Sequence, residues 1–298
     1  MRLSTATATD TILAQLQQLN RRQAELQNQV STGQRIFQPG DDPAAVARVV
    51  SAQMERRGLL QYQRNADTAL EYSKTSYSSL DQFKSLSDRA GELAVLGTGA
   101  NGLQSMQAYA AEVNQLIEQA VSLGGTRFRN DYIFGGTAVD SFPFNVTRNG
   151  AGEVTNTTYA GNTTQLEVPI ADGATIRPTP TATTSSGLAD FMNGLIALRD
   201  ALQAGNGAAV QAARPALEAS EDRLVSALSE HGAVQLRIEV SQNQQQSRLD
   251  EINRQISVEA DADLPSTIVR LSQTTQAYEA ALTSAATIMR MSLLDYIS

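Results

Sequence analysis

Acidic residues in two stretches of the chain could bind a cation. Asp41 and Asp42 are adjacent, and carboxylates alternate through Glu259–Asp263 like the first ligands of a calcium loop. The glycine of such a loop is missing, however, and Arg270 stands where its closing glutamate should be. Because aspartates also cap helices, we expect Asp42 and Asp263 to do so, and we predict no metal and no other cofactor.

The remaining residues with chemical potential are one histidine and one glycine-rich turn. His231 is the only histidine and the chain has no cysteine, so neither a thiolate nucleophile nor a histidine-based metal site is expected. His231 falls on an apolar helical stripe, which favours a packed residue over a catalyst. Gly97–Gly102 matches the dinucleotide-binding pattern but follows a predicted helix instead of a strand. We therefore predict that the protein is not an enzyme.

The composition excludes several classes of partner. The 298 residues carry a net charge of -8, which argues against nucleic-acid binding because phosphates attract clustered Lys and Arg. No apolar run of about 18 residues occurs, so no membrane insertion is expected. The first residues lack an apolar core, and we expect no cleaved secretion signal. With 41% hydrophobic but only 5% aromatic residues, the chain suits long packed helices.

The last 35 residues carry an apolar repeat with alternating steps of four and three, which is typical of a coiled coil. Few charges lie on the other faces of this predicted helix, so we expect it to be covered on more than one side. The stripe and its flank form half of a predicted assembly seam: Leu264, Ile268, Leu271, Tyr278, Leu282, Met289 and Leu293.

A matching stripe in a predicted helix over residues 5–31 supplies the other half of this assembly seam. Its members are Ile12, Leu16, Leu19, Leu26 and Val30. The two stripes could belong to two ordinary packed helices of one globule. Because both share the same period and sparse charge, we favour a single coiled-coil unit built from both chain ends.

The segments between the chain ends predict a mainly α fold with long antiparallel helices and a small inserted β domain. Long helices are expected from Pro43 to about Leu96 and from about Ala208 to Ile256, with shorter ones near 103–123 and from about Leu188. Alternating residues and turn signals between them predict short strands. We predict a terminal coiled-coil domain (1–32 plus 262–298), a helical rod domain (33–140 plus 185–261) and an inserted β domain (141–184).

Three motifs resemble those of the bacterial flagellin family. The turn after the first helix resembles the N-terminal signature of the family at Gly33, Arg35, Asp41, Asp42 and Pro43. A mid-chain strand motif resembles the family at Tyr132, Phe134, Gly135 and Gly136. The ending Tyr278–Ile297 is similar to the branch that forms hook–filament junctions, and differs from the usual ending of filament subunits.

This resemblance implies a structural adaptor that joins hook to filament and assembles as a ring of subunits. Implied partners are other copies of the chain, flagellin on the filament side, the other junction protein on the hook side, and the flagellar export machinery with its chaperone. The implied location is the extracellular flagellum, reached by type III export. A filament-forming flagellin and, less well supported, a coiled-coil adhesin are the alternatives.

Overall fold

The computed structural model describes residues 2–99 and 102–297, and the side chains of 10–99 and 102–287. The helices of this part of the chain are α1 (Arg2–Thr32), α2 (Pro43–Gly97), α3 (Leu103–Gly124), α4 (Ala182–Gln203), α5 (Gly207–Ala260) and α6 (Leu264–Ile297). The strands are β1 (Arg127–Phe128), β2 (Asp131–Tyr132), β3 (Phe144–Arg148), β4 (Val154–Tyr159), β5 (Val168–Ala171) and β6 (Ala174–Ile176). The predicted mainly helical fold class is confirmed.

The start of α4 differs from the sequence-based expectation. A helix was predicted only from about Leu188, after a Thr/Ser-rich linker. Instead, the hydroxyl oxygen of Thr181 accepts a hydrogen bond from the backbone N–H of Thr184 at 3.0 Å. This N-cap satisfies a free donor of the first turn, so the polar run begins the helix at Ala182.

The chain forms two compact units. The chain-end unit comprises residues 1–58 and 248–298, and the central unit comprises residues 59–247. The domain boundaries predicted near residues 32 and 262 fall inside the chain-end unit. They remain a prediction, because compactness alone does not test which part folds independently.

The central unit has a large hydrophobic core. Phe83 of α2 contacts Phe134 and Phe191 edge to face, with ring centroids 5.9 and 6.4 Å apart. Around these rings pack buried aliphatic side chains of α2, α3, α4 and α5. Burying side chains of this size supplies much of the stability of a domain, since each contributes roughly 1.5–3 kcal/mol.

The predicted β domain consists of separate antiparallel hairpins. β3 pairs with β4, and Phe144 and Val154 of this hairpin enter the large core. β5 pairs with β6, and Ile170 and Ile176 pack instead in a second, small cluster with Ala66, Ala69 and Ile238 of α2 and α5. Because the hairpins share no sheet and pack on different helices, each depends on the helical body for its position.

The strand motif places Gly136 in a tight corner. This glycine has a φ of +69°, and a Cβ atom there would come within 3 Å of Asn162 and Thr164. The side-chain oxygen of Asn162 accepts hydrogen bonds from the backbone N–H groups of Thr137 and Thr164 at 3.0 and 3.2 Å. The motif therefore joins the turn after β2 to the segment after β4.

His231 is buried in the contact between α2 and α5. Its Nδ1 lies 3.4 Å from the hydroxyl oxygen of Ser73, and the side chain is 5% exposed. Gln235, one turn later, donates to the Ser73 carbonyl oxygen at 3.4 Å. Burial lowers the pKa of His231 from 6.5 to about 4, because the desolvated site disfavours the charged ring. The predicted packed role of His231 agrees with this position.

Replacing Gly136 with Ala should destabilise the central unit by roughly 2 kcal/mol or more, because positive φ and the crowded corner both oppose a Cβ atom. Gly150→Ala is the matched control, since Gly150 has open space around it. Urea unfolding followed by near-ultraviolet circular dichroism measures both variants. Equal midpoints for the two variants would contradict this role of Gly136.

Acid should destabilise the protein through His231. The folded pKa lies below the unfolded value, so the stabilisation is complete above about pH 6.5 and is lost as the pH falls toward 4. The full loss amounts to roughly 3 kcal/mol. The drop in urea midpoint between pH 7 and pH 4.5 should therefore be smaller in His231→Gln than in the wild type. An identical drop would show that His231 does not carry this dependence.

Candidate assembly interface at the chain ends

One face of α1 lies against α6. The residues of the first predicted stripe, Ile12, Leu16, Leu19, Leu26 and Val30, are all buried or half-buried, whereas most of their neighbours in α1 are exposed. The two helices pack along each other. They run antiparallel, because a bridge between Gln34 and Asp261 joins the turn after α1 to the turn before α6. The structure thus brings this half of the predicted assembly seam together with α6.

The face of α6 that meets α1 is only partly the predicted one. Leu271 and Tyr278 are half-buried, as expected of an inward position. Leu264, Ile268 and Leu282 are instead 40%, 52% and 44% exposed. The other buried or half-buried positions on this face of α6 are Thr267, Thr274, Ala281 and Ala285. The side chains of Met289 and Leu293 lie outside the described residues.

Hydroxyl and methyl side chains can occupy this inner face because they need little space. The Thr274 hydroxyl donates to the carbonyl oxygen of Arg270 in the preceding turn at 2.8 Å, so it is buried with its donor satisfied. Ala281 and Ala285 allow α1 to approach closely. Leu264, Ile268, Val269 and Leu282 of α6 remain exposed instead.

The chain-end unit buries little apolar surface. Both hydrophobic clusters of the described residues belong to the central unit. In the chain-end unit, large apolar side chains remain in contact with solvent, among them Met54 at 60% and Val258 at 81% exposure. Exposed apolar side chains of this size are available for contact with another molecule.

The two units also differ in charge. The chain-end unit contains 11 basic and 12 acidic residues, whereas the central unit contains 12 basic and 19 acidic residues. Almost all of the net charge of -8 therefore belongs to the central unit. A nearly neutral surface can pack closely against copies of itself without strong repulsion.

The family turn motif forms a closed loop after α1. Gly33 ends the helix with a φ of +71°, and its N–H donates a hydrogen bond to the carbonyl oxygen of Gln29 at 2.9 Å. One carboxylate oxygen of Asp41 accepts from the backbone N–H groups of Phe37 and Gln38 at 2.9 and 2.8 Å. These bonds lower the pKa of Asp41, that of Gln38 contributing most, and keep it ionised.

The start of α2 is capped as the sequence predicted. A carboxylate oxygen of Asp42 accepts from the N–H of Ala45 at 3.0 Å, and Pro43 occupies the first helical position. The cap bond is the largest cause that lowers the pKa of Asp42. The two adjacent aspartates thus hold the loop and the helix, which explains their presence without a cation.

This loop is attached to the end of α5. The N–H of Arg35 donates to the carbonyl oxygen of Ala260 at 2.7 Å, and its guanidinium donates to the carbonyl oxygen of Glu259 at 2.7 Å. The N–H of Ala262 donates a hydrogen bond to the carbonyl oxygen of Gly33 at 2.8 Å. Arg35 therefore satisfies carbonyl groups that the end of a helix leaves without a partner.

A bidentate ion pair completes the attachment. The guanidinium of Arg48 in α2 donates to both carboxylate oxygens of Glu259 at 2.8 and 2.9 Å. This contact is the largest cause that lowers the pKa of Glu259. This pair was not predicted from the sequence, because 211 residues separate the two side chains and nothing in the local pattern links them. We call the bonds of Arg35 and Arg48 to the end of α5 the terminal clamp.

In the described part of the chain, no three His, Asp or Glu side chains come close enough to hold a metal ion. None of the described helices is long and apolar enough to cross a membrane.

Parts of the sequence match known proteins. Residues 3–138 match the bacterial flagellin N-terminal helical region. A flagellin from Halalkalibacterium halodurans is 33% identical over 91 residues, which cover 30% of this chain. The match spans about a third of the length of that flagellin, 34%.

Solved structures with the same fold are flagellar proteins. A Vibrio parahaemolyticus protein assigned as flagellar hook-associated has a TM-score of 0.66 and 18% identity, over 74% of this chain and 99% of its own. FlgL from Bacillus cereus has a TM-score of 0.60 and 19% identity, over 70% of this chain and 99% of its own. Hook-associated protein 3 from Legionella pneumophila has a TM-score of 0.58 and 11% identity, over 70% of this chain and 98% of its own. Residues 3–138 are thus similar to the N-terminal helical region of bacterial flagellin, and the fold of the chain is similar to that of the solved FlgL and hook-associated proteins.

Proposed function

We propose that the protein is a structural subunit of the bacterial flagellum that joins the hook to the filament. The observation that carries this proposal is the fold, which matches nearly the full length of FlgL and related hook-associated proteins. The protein acts by forming contacts and catalyses no reaction. It is exported through the flagellar channel and assembles outside the cell.

The chain-end unit supports a role in assembly. A helix pair with one inner face leaves its remaining apolar side chains in water unless other molecules cover them. Copies of the chain, arranged in a ring, would supply this cover. The predicted assembly seam then divides into two parts: the α1 stripe pairs the two ends of one chain, while Leu264, Ile268 and Leu282 face neighbouring molecules.

The partners follow from this location. Flagellin lies on the filament side, the other junction protein on the hook side, and the export machinery with its chaperone handles the chain before assembly. The acidic central unit keeps the subunit from associating through its whole surface, because like charges oppose that contact. The nearly neutral chain-end unit has no such barrier.

A filament-forming flagellin is the second candidate, favoured by the 33% identity to the Halalkalibacterium halodurans flagellin. The two candidates predict different amounts of protein. A filament subunit would be the main component of sheared filaments, whereas a junction subunit would be a minor component at their base.

Deletion of the encoding gene tests the proposed function. A junction subunit predicts that hooks still form, that filaments are lost, and that unassembled flagellin appears in the culture medium. Electron microscopy and immunoblotting of the medium measure both outcomes. Restoration of filaments by the wild-type gene is the control. Normal filaments in the deletion strain would refute the junction role, and loss of flagellin itself would favour the second candidate.

Replacing Leu26 with Asp tests the pairing of the two chain ends. Leu26 is 7% exposed, so a charge there should weaken the helix pair by about 2 kcal/mol or more. Amide hydrogen exchange in α1 and α6 should then accelerate roughly thirtyfold. Leu13→Asp is the matched control, because Leu13 is 45% exposed on the same helix. Equal exchange in the two variants would contradict the pairing.

A further inference from the structure

The first turns of α2 carry an apolar stripe on their outer side. Pro43, Ala47, Val50 and Met54 follow steps of four, three and four, and all four are exposed. With Pro39 and two flanking side chains of α2, they line an open groove of about 440 Å³. Such spacing is typical of a helix that packs against another helix.

The same chain does not fill this groove. Ala45 is fully buried and marks the inner side of α2 in this region. The apolar stripe lies on the opposite side of the helix. The groove lies wholly within the chain-end unit. An additional helix with a complementary apolar ridge would cover it.

The beginning of α6 provides a ridge of matching type. Leu264, Ile268 and Val269 are all exposed in the first two turns of α6. Groove and ridge are open in the same chain at the same time, so the ridge of a second copy is available to fill the groove.

Charge selects the direction of this packing. Arg57 continues the α2 stripe by one step; it is exposed and forms no ion pair with any described residue. Asp261 and Asp263 precede the α6 ridge, are exposed, and likewise form no ion pair among the described residues. An antiparallel arrangement places Arg57 beside these carboxylates.

The spacing of the two stripes agrees with this direction. Arg57, Met54 and Val50 are separated by three and four residues, as are Asp261, Leu264 and Ile268. Antiparallel packing therefore sets Met54 opposite Leu264, and Val50 opposite Ile268. A parallel arrangement would instead bring the aspartates before α2 next to those before α6, and like charges would repel.

We propose that the α2 groove (Pro43, Ala47, Val50 and Met54) of one copy binds the α6 ridge (Leu264, Ile268 and Val269) of the next copy, antiparallel, with Arg57 beside Asp261 and Asp263. This inference rests on the proposed function and specifies the contact between copies. Because groove and ridge are different surfaces, the contact is heterologous and each copy keeps one free groove and one free ridge. Repetition of the contact generates a ring or a helical layer.

Cysteine cross-linking tests this contact. The chain has no cysteine, so introduced thiols are the only ones that it contains. Met54→Cys and Leu264→Cys are made in separate copies of the gene and expressed together, and hook–filament particles are isolated and oxidised. A disulfide requires Cα atoms within about 7 Å, so a covalent dimer should form only when both variants are present.

Gln53→Cys with Leu264→Cys is the matched control, because Gln53 is exposed on α2 next to the groove residue. The groove pair should give on the order of tenfold more dimer than this control pair, since a disulfide tolerates little displacement. Particles that contain both variants without this excess would overturn the contact while leaving the proposed function intact. Strong dimer formation by either variant alone would indicate a symmetric contact and also overturn it. Absence of the chain from the particles would refute the proposed function itself.

Discussion

The two paired chain ends leave several of their described large apolar side chains exposed, and the other features of the chain-end unit depend on this constraint. Two antiparallel helices share one inner face, and in α6 that face is formed partly by Thr267, Thr274 and Ala285. Large side chains such as Ile268 consequently lie outside. A surface of this kind gains stability when further helices cover it, and its near-neutral charge permits copies of the chain to do so. The central unit differs in having a large aromatic and aliphatic core of its own.

The terminal clamp gives the incomplete unit a defined geometry. Arg35 and Arg48 bind the end of α5, and the aspartate at position 42 caps α2 within the same group of residues. The turn between α1 and α2 and the turn between α5 and α6 are thereby held side by side. Exposed ion pairs contribute little stability on their own, but a bidentate pair restricts orientation. The clamp thus positions the two terminal helices relative to the start of α2, where the proposed groove lies.

Much of the fold could be predicted from local patterns. The steps of four and three fixed the inward face of α1, and caps such as Asp42 marked the starts of helices. The rotation of α6 could not be predicted, because apolarity alone suggests that Ile268 is buried, whereas close approach to α1 favours Thr267. The pair of Arg48 and Glu259 was equally hidden, since only the folded chain brings them together. The hairpins were predicted from their turns, but their separate packing sites depend on which helices lie beneath them.

The location of the protein in isolated flagella tests the central claim most directly. A short epitope inserted in the exposed turn between β3 and β4, at Gly150, should leave the fold intact because this position has open space. Immunogold electron microscopy of isolated hook–filament particles then shows where the tagged chain lies. The proposed function predicts a single narrow band of gold at the boundary between hook and filament. Label distributed along the filament, or a boundary without label in particles that contain the tagged chain, would contradict it.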